Sequence, residues 1–229
     1  MTQEIKTYSQ QVTEYIKRSI LEGSLSPGEK INEVHVAATL SISRAPVREA
    51  LQMLAREGLI VSIAQKGKFI NCLSAKQIRE NYMTGGVLEG AAVAASISDF
   101  TEDDFSSLEK IVSRMEQVAS METAADHMRN LDDRFHEILF SRTENTLFIE
   151  LSRRYCHTIS KFLLFKEWRT LFSPHKVWKR HKTILDALKT RDSFAIEMSI
   201  RDHYFEAGER MARHGCQREN SLCKLCGQV

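Results

Sequence analysis

Proline, glycine and cysteine are all scarce in this chain of 229 residues, and its net charge is close to zero. The chain has three prolines and ten glycines, and long helical periodicities follow residue 74. This composition and patterning favour a mostly α-helical protein. Five cysteines, an odd number, argue against a disulfide framework. No apolar run is long enough to span a bilayer and no signal peptide is recognisable, so we expect a cytoplasmic protein without a membrane partner. Because the net charge is only +2, any binding to nucleic acid requires a local basic patch.

The stretch from Ser41 to Gly58 predicts an amphipathic helix, because its apolar residues recur at steps of three and four. Those residues are Val47, Ala50, Leu51 and Leu54. Ser43 is a candidate N-cap, and Gly58 is a candidate stop. Arg44 and Arg48 lie one turn apart near the start, which suits a helix inserted end-first into a DNA major groove. A solvated basic face is the alternative that this helix alone leaves open.

The neighbouring segments complete a winged helix-turn-helix pattern within residues 1–73. An apolar helix ends at Gly23, and Asn32 can cap a short second helix that precedes the arginine-bearing one. Two β-prone runs, 59–64 and 69–72, follow and predict a hairpin with a lysine-rich tip at residues 65–68. Such a tip would meet phosphates or a minor groove. The expected DNA contacts are Ser43, Arg44, Arg48, Lys66, Gly67 and Lys68.

Residues 74–215 predict an antiparallel all-helical bundle, so the fold class is mainly α with an N-terminal winged helix-turn-helix. Capping signals and apolar periodicity place the helix starts near Ser74, Thr101, Ala124, Asn145, Ser173 and Asp192. The fourth helix is expected to run unbroken over 145–168. Gly85 and Gly86 lie inside the first helix, where a kink or a close helix approach is expected.

Four potential metal ligands are spread over this bundle. Asp132 and His136 are four residues apart and share one helical face, whereas His181 and His203 lie on two later helices. Three imidazoles and a carboxylate are ligand types for zinc, nickel or manganese. Sequence alone does not bring the three helices together, and single histidines at such positions are more often ordinary core or surface residues.

Several N-terminal motifs resemble those of GntR-family transcription regulators. They are ILEGSLSPGEKINE, SRAPVREAL, REGLI and KGKFI, in that order, within residues 8–73. The resemblance implies that Arg44 and Arg48 contact bases and phosphates and that Gly67 lies at the wing tip. Many relatives carry a further DNA-contacting arginine where this sequence has Val34.

Three later segments resemble the ligand segments of the FCD domain, the helical effector domain of the FadR branch of GntR regulators. They are LDDRFHEILF, RHKTILDALKTRD and RDHYFEAGERM. The resemblance implies a divalent metal, expected to be zinc with nickel and manganese as alternatives. Its ligands would be Asp132, His136, His181 and His203. Such a site leaves one or two positions for water or an effector carboxylate.

The sequence departs from the pattern of carboxylate-binding relatives, which often have Tyr-x-x-Arg-x-x-Leu-Glu in the first helix of this domain. Here the run begins at Tyr82, and Gly85 replaces the arginine. The guanidinium fork that would pair with a carboxylate is therefore missing. The effector is either larger and less acidic or is anchored elsewhere, with Arg153, Arg154 and Tyr82 as candidates. The two arginines are equally compatible with a solvated face.

These features predict a transcription regulator, expected to be a repressor, that binds a palindromic double-stranded operator as a homodimer and responds to a small organic acid. A regulator that senses the metal itself is one alternative. A metal-dependent hydrolase is another, although no general base stands out beside the ligands. The tail, residues 216–229, is expected to be either flexible or a small zinc knuckle. Its candidate ligands are His214, Cys216, Cys223 and Cys226.

Overall fold

The computed structural model describes residues 6–121, 124–158 and 162–216 of the chain. Its first part consists of three helices and a hairpin. They are α1 (Tyr8–Glu22), α2 (Glu33–Thr39), α3 (Arg44–Arg56), β1 (Ile60–Ile63) and β2 (Gly67–Ile70). The Asn32 side chain accepts hydrogen bonds from two amides at the start of α2, as a capping residue does. Ser43 stands at the N-cap position of α3, but its side chain makes no capping hydrogen bond. Gly58 follows α3 with φ at +79°, as expected for a helix stop.

The hairpin is displaced from its predicted position. β1 and β2 are antiparallel, with Ile63 opposite Gly67, so Gly67 and Lys68 belong to the second strand rather than to the turn. Gln65 adopts a positive φ of +60°, which lets residues 64–66 complete the reversal. Periodicity did not predict this, because it depends on positive φ at both Gln65 and Gly67, the latter at +111°.

Seven further α-helices form the second part of the described chain. They are α4 (Ala75–Ser96), α5 (Glu102–Val118), α6 (Ala124–Leu139), α7 (Thr146–Ser152), α8 (Phe165–Leu171), α9 (Pro174–Thr190) and α10 (Ser193–Met211). Ser74 with Gln77 and Thr101 with Asp104 form the two predicted capping boxes. One cluster of buried apolar side chains continues from α1 through this bundle. None of the described helices is long and apolar enough to cross a bilayer.

The predicted fourth helix, 145–168, is wrong as a single element. α7 ends at Ser152 and a π-helical turn spans Arg153–Thr158, and a further turn at Leu164 separates the helical residues 162–163 from α8. The apolar residues of this segment, among them Leu147, Leu151 and Tyr155, suit a continuous helix, so the sequence carried no signal for the π-helical turn. Such a turn is a local i to i+5 departure inside an α-helical segment, and apolar periodicity does not encode it.

Helices α4 and α10 pack closely because small residues lie at their contact. A Cβ atom at Gly86 would be 2.7 Å from the Cβ of Tyr204, and one at Gly208 would be 2.7 Å from the Cβ of Tyr82. Gly86 of the glycine pair in α4 therefore marks a close helix approach, which was one of the two predicted outcomes.

Candidate DNA-binding face and metal centre

Two of the three arginines of α3, Arg44 and Arg48, are exposed and share one acidic neighbour. Arg48 Nε donates to Glu33 Oε2 at 3.1 Å, and the Arg44 guanidinium lies 3.8 Å from the same oxygen. On the other side, Lys68 Nζ of the wing lies 3.6 Å from Glu33 Oε1. Glu33 thus joins α2, α3 and β2 at one point. The sequence analysis missed it, because its position after Asn32 indicates only a favourable charge in the first turn of a helix.

The charge of Glu33 is stabilised by these neighbours. Burial opposes ionisation, but the hydrogen bond from Arg48 and the charges of Lys68 and Arg44 outweigh it and lower the pKa of Glu33 below 4.5. Glu33 is therefore ionised at neutral pH and offsets part of the positive charge of this face.

A concave surface of about 670 Å³ lies between the start of α2, the start of α3 and the wing. Its lining includes Lys30, Arg44, Lys66, Gly67 and Lys68, so four of the six residues predicted to contact DNA line one groove. Arg48 adjoins it through Glu33. Ser43 is exposed immediately before Arg44.

The structure brings the four predicted metal ligands together from three helices. Ligand atoms of His136, His181 and His203 all lie within 4.8 Å of one another. Asp132 Oδ1 is 3.1 Å from His181 Nε2 and 3.9 Å from His136 Nε2. Asp132, His136 and His181 are buried, and His203 is partly buried. The bundle therefore builds one cluster from residues that are up to 71 positions apart, since His203 follows Asp132 by that many (203 − 132).

The geometry and protonation of the cluster suit a metal ion. The ring of His181 can donate from Nδ1 to the Val177 carbonyl at 2.8 Å, which directs the lone pair of Nε2 into the cluster. His203 Nδ1 is buried and has no hydrogen-bond partner in the described part of the chain. Burial, together with the charge of Arg180 and the neighbouring imidazoles, lowers the pKa of His203 well below 6.5. This ring is therefore neutral at pH 7, as a ligand must be.

A buried carboxylate behind the cluster was missed by the sequence analysis. Glu89 of α4 is completely buried, with Oε1 2.5 Å from His136 Nδ1, while Oε2 accepts a 2.5 Å hydrogen bond from the Tyr204 hydroxyl. A carboxylate on the far ring nitrogen is the arrangement that orients metal-bound histidines in proteins. The position of Glu89 at the end of the run that begins at Tyr82 was its only sequence signal.

A partly buried cation adjoins the cluster as well. The side chain of Arg180 is 15% exposed, its guanidinium donates to the carbonyl of His203, and its Nε is 3.4 Å from Glu206. Burial lowers the pKa of Arg180 and the charge of Glu206 opposes this, but an arginine stays protonated at neutral pH. The sequence offered no signal for Arg180 beyond its position next to His181.

The remaining predicted residues lie in three places. Tyr82 is buried beside Tyr204, with ring centroids 6.4 Å apart, and Tyr204 in turn adjoins His136. Arg153 and Arg154 line a separate cleft, whose lining includes none of the four candidate ligands. In the tail, the amide of Cys216 donates to the Leu73 carbonyl. The predicted ligands Cys223 and Cys226 lie outside the described residues.

A winged helix-turn-helix joined to a helical bundle with a buried ligand cluster is the architecture of a one-component transcription regulator. Residues 8–70 match the model of the bacterial regulatory proteins of the gntR family, and residues 82–206, more than half of the chain, match the FCD domain. The chain therefore belongs to the GntR family and carries an FCD effector domain. It is a DNA-binding regulator and not an enzyme, so the hydrolase alternative is wrong.

Similar proteins extend over most of the chain. The HTH-type transcriptional repressor RspR of Escherichia coli K12 is 27% identical, and the match covers 93% of this chain and 92% of that protein. The Nta operon transcriptional regulator of Aminobacter aminovorans is 33% identical, and the match covers 72% of this chain and 76% of that protein. The solved structure of McbR/YncC from E. coli has the same fold, with a TM-score of 0.72 and 18% sequence identity. The match covers 92% of this chain and 99% of that one.

Proposed function

We propose that this regulator is a repressor of the FadR branch, which binds a palindromic operator as a homodimer and releases it in response to a small carboxylate. The observation that carries the proposal is the buried cluster of three imidazoles and Asp132 within a domain linked to a DNA-binding wing. The name of RspR supports repression, since that relative is a repressor. The two-fold symmetry of a dimer would match the symmetry of the operator.

In the proposed complex, the N-terminal end of α3 enters the major groove. Arg44 and Arg48 leave Glu33 to contact bases and phosphates, while the wing lysines Lys66 and Lys68 approach the phosphates with the backbone of Gly67 at the tip. Ser43, which makes no capping hydrogen bond, has its hydroxyl available for a phosphate. Val34 is exposed where many relatives have a DNA-contacting arginine. The proposed complex therefore has one polar contact to DNA fewer at this position.

The first test measures recognition by α3. Duplexes would be selected from a random-sequence library with the wild-type protein, and the dissociation constant of the enriched sequence measured for Arg44→Ala and Arg48→Ala. Each substitution is expected to weaken binding by roughly 1–3 kcal/mol. Arg114→Ala, which removes an exposed arginine from α5, is the matched control. Unchanged affinity in both variants would overturn the assignment of α3 as the recognition helix.

We propose that Asp132, His136, His181 and His203 hold one divalent ion, zinc in first place with nickel or manganese as alternatives. Such an ion would supply a Lewis acid for a carboxylate oxygen of the effector. Glu89 and Val177 hold the rings of His136 and His181 in orientation. We propose that the partly buried charge of Arg180, the residue before His181, takes the role of the arginine that is missing at Gly85.

The second test is the metal content of purified, unchelated protein by mass spectrometry. We expect about one divalent ion per chain in the wild type and none in His136→Ala/His181→Ala. His35→Ala/His175→Ala removes two exposed histidines outside the cluster and is expected to retain the ion. Metal retained by the first double variant would point to the cysteine tail instead, and wild-type protein without metal would overturn the metal centre.

Effector binding is proposed to change the arrangement of the helical domain relative to α3 and so the spacing of the two recognition helices. A regulator that senses the metal itself is the second candidate, favoured by the same ligand cluster. The two are separated by titrating zinc into metal-free protein on operator DNA without any organic ligand. A change in operator affinity would identify the metal as the signal, and constant affinity would favour a metabolite.

A homodimer is supported by exposed apolar side chains on the tightly packed pair α4 and α10. Met83 is 62% exposed and Phe205 59%, and both line one shallow recess. Large apolar groups that share a surface patch are typical of protein interfaces. We propose that this patch is covered by the same patch of a second copy, as two-fold symmetry requires.

A further inference from the structure

A cleft of about 550 Å³ lies between the DNA-binding part and the helical bundle, and we name it the junction cleft. Lys17 of α1 and Arg56 and Glu57 at the end of α3 line one side. Glu150, Arg153 and Arg154, from α7 and the π-helical turn, line the other. Its volume is within the range of about 300–1,000 Å³ that small-molecule sites occupy.

Positive charge in the junction cleft is incompletely neutralised. Lys17 Nζ pairs with Glu57 Oε2 at 2.7 Å. Within the described part of the chain, no ion pair neutralises Arg56, Arg153 or Arg154, and the guanidinium of Arg154 lies 5.7 Å from the ring of Tyr155. Unpaired guanidinium groups that converge on a recess present several forked donors, which match phosphate and carboxylate oxygens.

The position of Arg56 separates this cleft from the DNA-binding face. Arg44 opens α3 and Arg56 closes it, so the two positions are about 18 Å apart along a helix that rises about 1.5 Å per residue. The end of α3 that enters the groove is therefore remote from the cleft. On the opposite wall, Arg153 begins a π-helical turn, a deviation that is frequent at functional sites.

We propose that the junction cleft is a second effector site, which binds a small anion with two or more phosphate or carboxylate groups. Arg56 holds it from the DNA-binding side, and Arg153 and Arg154 hold it from the helical side. A ligand that bridges the two sides fixes the orientation of α3 against the bundle, so it regulates operator binding without occupying the metal centre.

The test is calorimetric titration of the full-length protein with inorganic pyrophosphate and, separately, with citrate, at constant ionic strength. Wild-type protein is expected to bind at least one of them. The probe that binds more tightly shows whether the cleft prefers phosphate or carboxylate groups. Arg153→Gln/Arg154→Gln is expected to bind at least tenfold more weakly. Lys110→Gln/Arg114→Gln, which removes the same charge from α5, is expected to bind as the wild type does.

The His136→Ala/His181→Ala variant separates this site from the metal centre, because it is expected to keep its affinity for the anion. Loss of binding in that variant would assign the anion to the metal centre and overturn the proposal. Absence of binding to both probes, or an equal loss in the α5 control, would overturn it as well. A loss of affinity of Arg153→Gln/Arg154→Gln for random-sequence duplex in the absence of anion would place these arginines on DNA instead.

Discussion

Glu89 combines complete burial with hydrogen bonds to side chains of two other helices, His136 of α6 and Tyr204 of α10. A buried carboxylate is stable when donors compensate for its lost hydration. The imidazole of His136, held through Nδ1, presents Nε2 to Asp132 and the other ligands. Glu89 is thus a positioning residue for the proposed metal centre, and it connects the histidine cluster to α4, the helix that follows the wing.

Replacing Glu89 with glutamine tests this role at nearly constant volume. The amide has one acceptor oxygen, so it cannot accept from both His136 Nδ1 and the Tyr204 hydroxyl in the same way. We expect roughly 10–100-fold weaker zinc binding, measured by competition with a chromogenic chelator. The control is Glu80→Gln, an exposed change on the same helix. Wild-type zinc affinity in a folded Glu89→Gln protein would contradict the positioning role.

At the residue level, a family resemblance predicted four candidate ligands that the fold brings together, but the sequence analysis missed Glu33, Glu89 and Arg180. The missed residues act through partners that are distant in the chain, as in the 47 positions between Glu89 and His136. Residue type indicates that a glutamate is acidic. It does not indicate which cation or imidazole the fold will bring to it, because that depends on how the helices pack.

At the level of elements, helix starts were predictable because the interactions that define them are local. The start of α5 is an example, in which Asp104 accepts from the Thr101 amide. The prediction failed where the backbone departs from ideal periodicity, in the π-helical turn and at Gln65. Both departures depend on how a segment fits its neighbours, and that information lies outside the segment.

The cap of α5 also makes a pH-dependent contribution to stability. Hydrogen bonds from Arg142 at 2.8 and 3.0 Å, together with those from Thr101, lower the pKa of Asp104 from 3.8 to about 2. Because the folded pKa lies below the unfolded one, the stabilisation is present above pH 3.8 and is lost as the pH falls towards 2. Since Arg142 is 39% exposed, solvent screening reduces the expected effect to about 1–2 kcal/mol.

We therefore expect Asp104→Asn to lower the free energy of unfolding by about 1–2 kcal/mol at pH 7, with a difference from wild type that shrinks below pH 4. Urea unfolding at a series of pH values measures it. Asp103→Asn removes a neighbouring exposed charge from the same first turn and is expected to have a smaller effect, because Asp103 does not pair with Arg142. A difference for Asp104→Asn that is constant with pH would contradict the role of its charge.

At the level of the whole molecule, the two parts of the chain are joined by packing and hydrogen bonding as well as by the chain itself. The buried apolar cluster is continuous between them, and the amide of Cys216 bonds to the carbonyl of Leu73 between the wing and α4. The C-terminal end of α10 thus returns to the point where the two parts join. Sequence predicted two parts and their order, but not this return, since no local pattern encodes a contact between distant segments.

The proposed dimer gives a prediction at this scale. Met83→Asp/Phe205→Asp places two charges in the apolar patch, so we expect a sedimentation coefficient of a monomer and at least tenfold weaker operator binding. Leu147→Asp changes an equally exposed apolar residue, 58% exposed, on α7 and is expected to remain dimeric. A dimeric patch variant with wild-type affinity would place the interface elsewhere.

The contact of Glu33 with three cations bears on how quickly such a regulator locates its site in a genome. Random duplex attracts a protein mainly through phosphates, and a carboxylate among Arg44, Arg48 and Lys68 weakens that attraction. In the proposed complex, Arg44 and Arg48 exchange Glu33 for bidentate contacts with the correct bases, and random sequence offers no such partner. Residence on wrong sites would then be shorter while the specific complex kept its contacts, so fewer molecules per cell would be needed to keep one operator occupied.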